Sequence, residues 1–320
     1  MRLVGVTGDA FFRIDDGRSR VGLSGSGAQC VAVDPRDPER VYVGARGGGV
    51  FRSSDGGQTW DEAVRPPQDV FSVAVSPVDG AVYAGCEPSA LWVSRDAGGT
   101  WSELEALQDI PSKPTWSFPP RPWTSHVRWI APSPHEGDVL LVGIELGGMM
   151  RTEDGGRMWL DHRPGAQPDV HSVIWHPTEQ DRAYEAGGGG AAWSFDGGMS
   201  WRAADDGRDR HYTWAVAADP VDADRWYVSA STGPFAAHGH GRAAARLYRW
   251  EGDGPWQALD GGLGTELDAM PYALLALDGA VVAGFRSGEL WTSEDRGDSW
   301  MRVELEGDPP PAIVALAPAA

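Results

Sequence analysis

Three of the eight histidines stand at corresponding places, each at the start of a short apolar run. His126 precedes "VRWIAPSP", His171 precedes "SVIWHP" and His211 precedes "YTWAVAADP". Three imidazoles around an open position bind a divalent metal ion and lower the pKa of its bound water towards neutrality. We therefore predict that these three residues hold one divalent ion, zinc or similar, and that the protein uses no other cofactor.

The register of the third run leaves an alternative open. Counted back from the proline that follows each run, His126 and His171 fall at even offsets, whereas His211 is odd and Tyr212 is even. Because side chains alternate along a strand, His211 joins the other two only from a loop or a bulge. Otherwise Tyr212 faces the site, and the pair of His171 and Tyr212 indicates proton transfer without a metal ion.

Acidic and tyrosine side chains lie close to the histidine-bearing runs. Glu145 follows the run "VLLVGI", Glu185 lies within "AYEAG", and Tyr272 opens the run "YALLAL". A carboxylate beside a metal ion serves as a ligand, as a partner of a ligand or as a general base. We predict Glu145, Glu185, Tyr212 and Tyr272 as the catalytic residues.

A further set of charged residues shares one position in the repeated pattern. Aligning the runs "VYVGAR", "VYAGCE", "LLVGIE" and "VVAGFR" brings Arg46, Glu87, Glu145 and Arg286 to the same place. Guanidinium groups bind carboxylates and phosphates through paired hydrogen bonds. We predict Arg46, Arg286 and Glu87 as substrate-binding residues, with the arginines holding an anionic part of a small molecule.

Two long insertions lie beside the histidine-bearing runs. The first, residues 104–125, is rich in aromatic residues and proline, and we predict that Arg121 and Trp123 in it wall the substrate pocket. The second contains "HGH", in which the spacing of His238 and His240 also suits a metal ion. Loops of this length inside a compact fold are usually functional or disordered.

A repeated turn motif indicates the elements that position these residues. The stretch "SSDGGQTW" at 53–60 recurs in related form at 94–101, 152–159, 194–201 and 293–300, and a degenerate copy ends at Trp256. The final tryptophans, at 60, 101, 159, 201, 256 and 300, are therefore 41, 58, 42, 55 and 44 residues apart. Such a period, with several short strands in each unit, is typical of β-propeller blades.

Each full unit contains four short strands, A to D, with the aspartate motif on the C–D turn. Near the N-terminus, "LVGVT" and "AFFRIDDG" indicate strands B and C of one more blade, and "PAIVALAP" at 311–318 supplies its strand A. We predict an all-β fold, a seven-bladed β-propeller of four-stranded blades that spans residues 1–320 as a single domain. The last blade is closed by the N- and C-terminal strands, which removes exposed sheet edges.

Strand direction alternates within a blade, so the C–D turns lie on one face of the propeller. The D–A connections and B–C loops lie on the opposite face, around the mouth of the central channel, where ligands tend to bind. The candidate residues belong to that mouth. The aspartates of the repeated motif are expected to hold turns on the far face by accepting hydrogen bonds from nearby backbone amides; they are Asp55, Asp96, Asp154, Asp196 and Asp295.

The repeated motif resembles the Asp-box, or BNR, repeat of sialidases and related propellers, Ser/Thr-x-Asp-x-Gly-x-Thr/Ser-Trp. Four copies match this pattern well and "TEDGGRMW" matches it approximately. The resemblance covers most of the chain and implies a propeller of that superfamily, which also contains small seven-bladed proteins similar to photosystem assembly factors. In these families the Asp boxes are structural turns of enzymes and binding proteins alike, so the motif implies an architecture and no particular activity.

Composition excludes several kinds of partner. A formal net charge of −19 repels phosphate backbones, so a nucleic acid partner is not expected. The sequence has no apolar run of about 18 residues and no N-terminal secretory pattern. Cys30 and Cys86 are too few for a disulfide framework. We expect a cytoplasmic protein without a membrane partner, and the sequence leaves its oligomeric state undetermined.

These residues favour a metal-dependent hydrolase of a small, partly anionic substrate such as an ester, lactone, phosphoester or glycoside. One alternative is a lyase that uses His/Tyr proton transfer and recognises a carboxylate with arginine. Another is a non-catalytic propeller that binds a protein or ligand. A sialidase-like glycosidase is less favoured, because "FFRIDD" has Asp15 where the family's Phe/Tyr-Arg-Ile-Pro has proline, and Arg13 falls near a turn of the far face.

Overall fold

The computed structural model describes residues 2–61, 66, 68–119, 124–239 and 242–319. The first three blades contain β1 (Arg2–Val6), β2 (Phe11–Asp15), β3 (Arg18–Gly22), β4 (Ala28–Asp34), β5 (Asp37–Ala45), β6 (Val50–Ser53), β7 (Asp69–Val75), β8 (Val82–Glu87), β9 (Ala90–Ser94) and β10 (Ser102–Glu103). After two 3₁₀ turns, Glu105–Asp109 and Lys113–Thr115, blades four and five contain β11 (Val127–Pro132), β12 (Leu140–Ile144), β13 (Gly148–Thr152), β14 (Val170–Trp175), β15 (Ala183–Gly187), β16 (Gly190–Ser194) and β17 (Arg202–Ala203).

Blades six and seven complete the circle. They contain β18 (Tyr212–Ala218), β19 (Arg225–Ser231), helix α1 (Pro234–His238), β20 (Arg246–Glu251), β21 (Gln257–Leu259), β22 (Pro271–Ala276), β23 (Val281–Phe285), β24 (Leu290–Ser293) and β25 (Met301–Arg302), and they are followed by β26 (Glu306–Gly307) and β27 (Ala315–Pro318). Within the described ranges, no helix has both the length and the apolar character that a bilayer crossing requires.

Blade one is built from both ends of the chain. Its strands lie in the order β26-β3-β2-β1-β27, and the C-terminal β27 pairs antiparallel with β1, with Val4 opposite Ala317. The predicted seven-bladed propeller, closed by N- and C-terminal strands, is therefore confirmed. The innermost strands β27, β4, β7, β11, β14, β18 and β22 contact one another in succession around the axis.

The aspartates of the repeated motif are engaged within their own turns. In the first copy Asp55 accepts hydrogen bonds from the backbone N–H groups of Gln58 and Thr59, both at 2.9 Å, and from the Thr59 hydroxyl at 2.6 Å. Ser53 donates its hydroxyl to the same carboxylate at 2.7 Å. These bonds hold the pKa of Asp55 well below its usual range, and the bond from the Thr59 hydroxyl has the largest effect.

Small residues let neighbouring blades approach closely. Gly85 on β8 lies against blade four, and a Cβ atom there would stand 2.4 Å from Val127 Cγ1 and 2.4 Å from Ser72 Oγ. Gly143 on β12 meets Val170 of blade five in the same way, at 2.4 Å. Glycine in the runs "VYAGCE" and "LLVGIE" is therefore required by the packing of the next blade.

A β-bulge interrupts the innermost strand near its start in blades two to seven. The register shifts lie between Ala28 and Cys30, Val70 and Ser72, Val127 and Trp129, Val170 and Ser172, Thr213 and Val216, and Pro271 and Ala273. A bulge leaves an extra residue unpaired and re-aims its side chain. The extra residues are Gln29, Phe71, Arg128, His171, Trp214 (with Ala215) and Tyr272, and all of them line the central channel.

Candidate functional site at the channel mouth

The innermost strands enclose a cavity of about 210 Å³ along the propeller axis. The bulge residues line its mouth. Residues farther along the same strands give it an apolar wall, which includes Val31, Val73, Ile130, Ile174, Val216 and Leu274. A ligand that enters from this side therefore meets polar and aromatic groups first and an apolar surface below them.

His126 lies behind the mouth and connects two glutamates. Its Nε2–H donates to Glu145 Oε2 at 2.7 Å, and its Nδ1 lies 3.5 Å from Glu87 Oε2. The imidazole stacks on Phe71 with 4.2 Å between ring centroids, and Glu87 also accepts a hydrogen bond from the Thr124 hydroxyl at 2.8 Å. The structure therefore brings together His126, Glu145 and Glu87, which the sequence assigned to three different roles.

Arg128 joins this group from the bulge of β11. Its Nε lies 3.5 Å from Glu145 Oε2, and its guanidinium stands 4.6 Å above the ring of Trp214. Burial opposes ionisation of Glu145, but the hydrogen bond from His126 and the charges of Arg128 and His126 outweigh it and lower its pKa to about 2. Glu145 is therefore a carboxylate at neutral pH, held between the imidazole of His126 and the guanidinium of Arg128.

His171 projects from the bulge of β14 with a fixed tautomer. Its Nδ1 lies 2.6 Å from the carbonyl oxygen of Thr213, so this nitrogen carries the proton that is donated. The lone pair of a neutral ring is then on Nε2, which lies 3.5 Å from Asp169 Oδ2. Within the described residues, neither His171 Nε2 nor Asp169 Oδ1 has a hydrogen-bond partner.

Glu145, Asp169 and His171 form what we call the acid–histidine triad. One ligand atom from each lies within 4.8 Å of those of the other two. Glu145 and His171 are buried, whereas 22% of the Asp169 side chain is exposed at the mouth. This group differs from the predicted set of three histidines in that two carboxylates stand in the places of His126 and His211.

A tyrosine–histidine chain of Tyr212, His238 and Tyr272 lies on the side of blades six and seven. His238, from helix α1, places Nε2 2.7 Å from the Tyr212 hydroxyl and Nδ1 2.6 Å from the Tyr272 hydroxyl. Burial, together with the charges of His171 and Arg128, lowers the pKa of His238 to about 4. Burial also raises the pKa of both tyrosines, so the chain is neutral near pH 7.

The two predicted arginines differ in their surroundings. Arg286 donates a hydrogen bond to the carbonyl oxygen of His238, and its guanidinium lies 5.8 Å from the ring centroid of Tyr272. Arg46 is exposed, and its Nη2 lies 3.5 Å from Gln29 Oε1 at the blade-two side of the mouth. Arg286 therefore belongs to the tyrosine–histidine chain, and Arg46 stands at the rim.

Other predicted residues lie elsewhere. His211 is exposed and precedes β18, whereas Tyr212 is buried with its ring 4.8 Å from that of His171. Glu185 is fully buried and accepts a hydrogen bond from the backbone N–H of Gln167 at 3.0 Å, and it belongs neither to the triad nor to the residues that line the channel. The predicted pocket residues Arg121 and Trp123 lie outside the described residues, as does His240.

Four residues of the site were not among the predicted catalytic, binding or metal residues, namely Arg128, Asp169, Trp214 and His238. A signal for Asp169 exists, because "DVHSV" at 169–173 repeats "DVFSV" at 69–73 with histidine in place of Phe71. His238 was recognised only as half of a "HGH" pair. A signal also exists for Arg128 and Trp214, because they stand six residues before Pro134 and Pro220, as His171 stands six residues before Pro177.

Together these groups can bind an anion, accept a proton and donate one. Arg128 and Arg286 supply fixed positive charge. The triad presents acceptor atoms that receive no hydrogen bond from the described residues, and the tyrosine–histidine chain holds protons that can be transferred. Trp214 and Tyr272 add flat apolar surfaces at the entrance. The mouth therefore has the residue types of an enzyme site for a small polar substrate.

Comparison with known proteins places the chain near two kinds of propeller. No family model matches it. It is similar to Xyloglucanase Xgh74A of Acetivibrio thermocellus, with 26% identity over 211 residues, or 53% of this chain and 25% of that protein. The chain thus matches about a quarter of the length of this curated relative.

Solved structures share the fold. The GH74 xyloglucanase from Xanthomonas campestris superposes with a TM-score of 0.65 at 18% identity, over 86% of this chain and 45% of that one. YCF48 bound to D1 peptide superposes with a TM-score of 0.60 at 17% identity, over 88% of this chain and 84% of that one. At such identities the likeness shows the propeller fold alone.

Proposed function

We propose that the protein is a hydrolase that cleaves a glycosidic bond in a small, partly anionic carbohydrate bound at the channel mouth. The likeness to a xyloglucanase over 53% of the chain supports carbohydrate as the substrate class. The observation that carries the proposal is the convergence of the acid–histidine triad and the tyrosine–histidine chain on one mouth. The first comes from blades four and five, and the second from blades six and seven.

The triad is the water-binding end of this site. Glycoside hydrolysis needs one group that takes a proton from water and another that protonates the leaving oxygen. Asp169 Oδ1 is an unpartnered acceptor beside His171 and Glu145, so a water molecule here donates a hydrogen bond to it and gives up a proton to it. The water oxygen then bonds to the anomeric carbon as the bond to the leaving oxygen breaks.

The tyrosine–histidine chain is the proton-donating end. Because both nitrogens of His238 are engaged, one tyrosine donates to the ring and the other accepts from it. Tyr272 lines the cavity. When it accepts from Nδ1–H, its own O–H makes a long hydrogen bond of 3.4 Å to the carbonyl oxygen of Ala237 and can turn from there to the leaving oxygen. The proton that Tyr272 gives up is replaced from His238, which takes one from Tyr212. After product release, bulk water takes up the proton gained by the triad and returns one to Tyr212, which restores the starting state.

Arg128 and Trp214 are the substrate-binding residues of this proposal. Their stacked arrangement, with the guanidinium 4.6 Å above the indole, presents a cation and an apolar ring at the entrance. A carboxylate or other acidic substituent pairs with Arg128, and a sugar ring lies against the aromatic surface. Arg286 stabilises the phenolate that forms transiently on Tyr272.

The test is the substitution Tyr272→Phe, which removes the hydroxyl and keeps the ring. Removal of a general acid is expected to lower kcat by about 10²- to 10⁴-fold with little change in KM. Tyr227→Phe is the matched control, because this tyrosine is also buried but donates to Arg296 on the far face at 3.0 Å. Release of reducing ends is measured on neutral and uronate-containing oligosaccharides, including fragments of xyloglucan.

The products decide between reaction types. Hydrolysis adds one water across the products, whereas products that sum to the mass of the substrate identify a lyase. No cleavage of any oligosaccharide, or equal rates for the two phenylalanine variants, would refute the proposed reaction.

A second candidate function is peptide binding without catalysis. It is favoured by the likeness to YCF48 bound to D1 peptide, of which this chain covers 84%. In that case Arg128 binds a carboxylate of the peptide. Fluorescence titration with peptides that carry a free or an amidated C-terminus tests this candidate, and binding that Arg128→Gln weakens, in the absence of glycoside cleavage, would replace the hydrolase.

A further inference from the structure

We propose that Glu145, Asp169 and His171 hold one divalent transition-metal ion at the channel mouth. Their ligand atoms come from two blades and lie within 4.8 Å of one another. Imidazole nitrogen and carboxylate oxygen are the donor types that zinc and similar ions accept. Metal binding can be measured without a substrate, so the inference does not depend on the proposed reaction.

The state of His171 is the first argument. The residue is 1% exposed, and its Nδ1 donates to the carbonyl of Thr213, which leaves Nε2 as a buried acceptor without a hydrogen-bond partner among the described residues. Buried polar atoms are nearly always satisfied. A histidine that ligates a metal through one nitrogen typically donates the other N–H to a carbonyl or carboxylate, as His171 does.

The facing groups are the second argument. Asp169 Oδ2 lies 3.5 Å from His171 Nε2, and Asp169 Oδ1 is also buried and unpartnered. Two acceptors that face each other repel unless a proton or a cation lies between them. Glu145 retains capacity as well, because a carboxylate can accept about four hydrogen bonds and the structure assigns it one from His126.

The dimensions suit an ion of this kind. Zinc ligands lie about 2.0–2.2 Å from the metal, so two ligands on opposite sides are about 4.2 Å apart. The largest separation in the triad is no more than 4.8 Å. A small rotation of Asp169, the least buried of the three, closes the remaining gap.

The charges around the triad also favour a cation. Two of the three ligands are carboxylates, and one guanidinium group, that of Arg128, lies 3.5 Å from Glu145 Oε2. Three protein ligands leave coordination positions open on the side where Asp169 reaches solvent. An ion held there would make a bound water more acidic.

The experiment is a calorimetric titration of chelator-treated full-length protein with ZnCl₂, repeated with MnCl₂ and CaCl₂. The wild type is expected to bind one equivalent of Zn²⁺ or Mn²⁺ and to bind Ca²⁺ more weakly, because imidazole is a poor calcium ligand. Asp169→Asn is expected to weaken metal binding by at least about 10- to 100-fold. That is the loss seen when a residue that only hydrogen-bonds to a metal ligand is replaced, and replacement of a ligand itself should cost more affinity.

The repeated sequence offers a matched control. Asp69→Asn changes the aspartate at the same position of blade three, where Asp69 accepts a hydrogen bond from the backbone of Gly47 at 2.7 Å, and it should leave metal binding unchanged. If Asp169→Asn does not fold by circular dichroism, His171→Phe copies the residue found at that position in blade three, Phe71, and should abolish binding.

The outcomes separate this inference from the proposed function. No bound Zn²⁺ or Mn²⁺ in the wild type, or equal affinity in the Asp169 and Asp69 variants, would overturn the metal site whether or not the protein cleaves glycosides. One equivalent of metal that is lost with Asp169, without any glycoside cleavage, would support the site and overturn the reaction.

Discussion

Glu185 should make the stability of the protein fall as the pH rises through neutrality. It lies on β15 between Val173 and Ala192 of the neighbouring strands and is fully buried. One oxygen accepts a hydrogen bond from the backbone of Gln167 at 3.0 Å, and the other has no partner among the described residues. Burial raises its pKa to about 8, and the bond from Gln167 opposes this only in part.

The size of the effect follows from proton linkage. In the unfolded chain the carboxyl ionises near its ordinary value of 4.5, so between pH 4.5 and about pH 8 the native state binds one proton more than the unfolded state. The free energy of unfolding then falls by about 1.4 kcal/mol for each pH unit, or roughly 3 kcal/mol between pH 4.5 and pH 7. The stabilisation by the protonated Glu185 is complete below pH 4.5 and is lost above about pH 8.

Glu185→Gln tests this reasoning, because the amide has the same shape and stays neutral. Urea unfolding followed by tryptophan fluorescence at several pH values from 4.5 to 8 should show that the free energy of unfolding of the variant rises relative to that of the wild type as the pH rises. Only the pH dependence of the difference is diagnostic, since the amide also buries an unpaired N–H group. Glu179→Gln, at an exposed position of the same blade, should track the wild type. A difference between Glu185→Gln and wild type that is independent of pH would refute the argument.

Two further predictions concern the fold. Asp196→Ala removes the acceptor for the backbone N–H and hydroxyl of Ser200, so chemical denaturation should show that the free energy of unfolding falls by roughly 1–3 kcal/mol. Activity and metal binding at the opposite mouth should stay unchanged. A loss of activity in the folded variant would show instead that the turn acts at the site. Gly85→Ala places a Cβ 2.4 Å from Val127 Cγ1 and Ser72 Oγ. Thermal unfolding should therefore report a destabilisation of roughly 1–3 kcal/mol. A stability equal to that of wild type would contradict the close approach of blades three and four.

The sequence by itself determined the architecture of this protein. The repeat gives the number of blades, and the terminal segments "LVGVT" and "PAIVALAP" account for the closure of blade one. These features could be predicted because they depend on local chemistry. Asp55, for example, makes its hydrogen bonds to residues no more than four positions away, and strand direction then identifies the face on which the histidine-bearing strands begin.

Only the tertiary structure decided which side chains meet at the channel mouth. A bulge re-aims the residue that it leaves unpaired. His171, Arg128 and Trp214 stand at the bulges of their strands and line the channel, whereas His126, two residues before Arg128, is not among the lining residues. Asp169 and Glu145 belong to different blades, and their approach depends on how closely those blades pack. No local pattern encodes that distance, and for this reason the predicted set of three histidines differs from the triad of one histidine and two carboxylates.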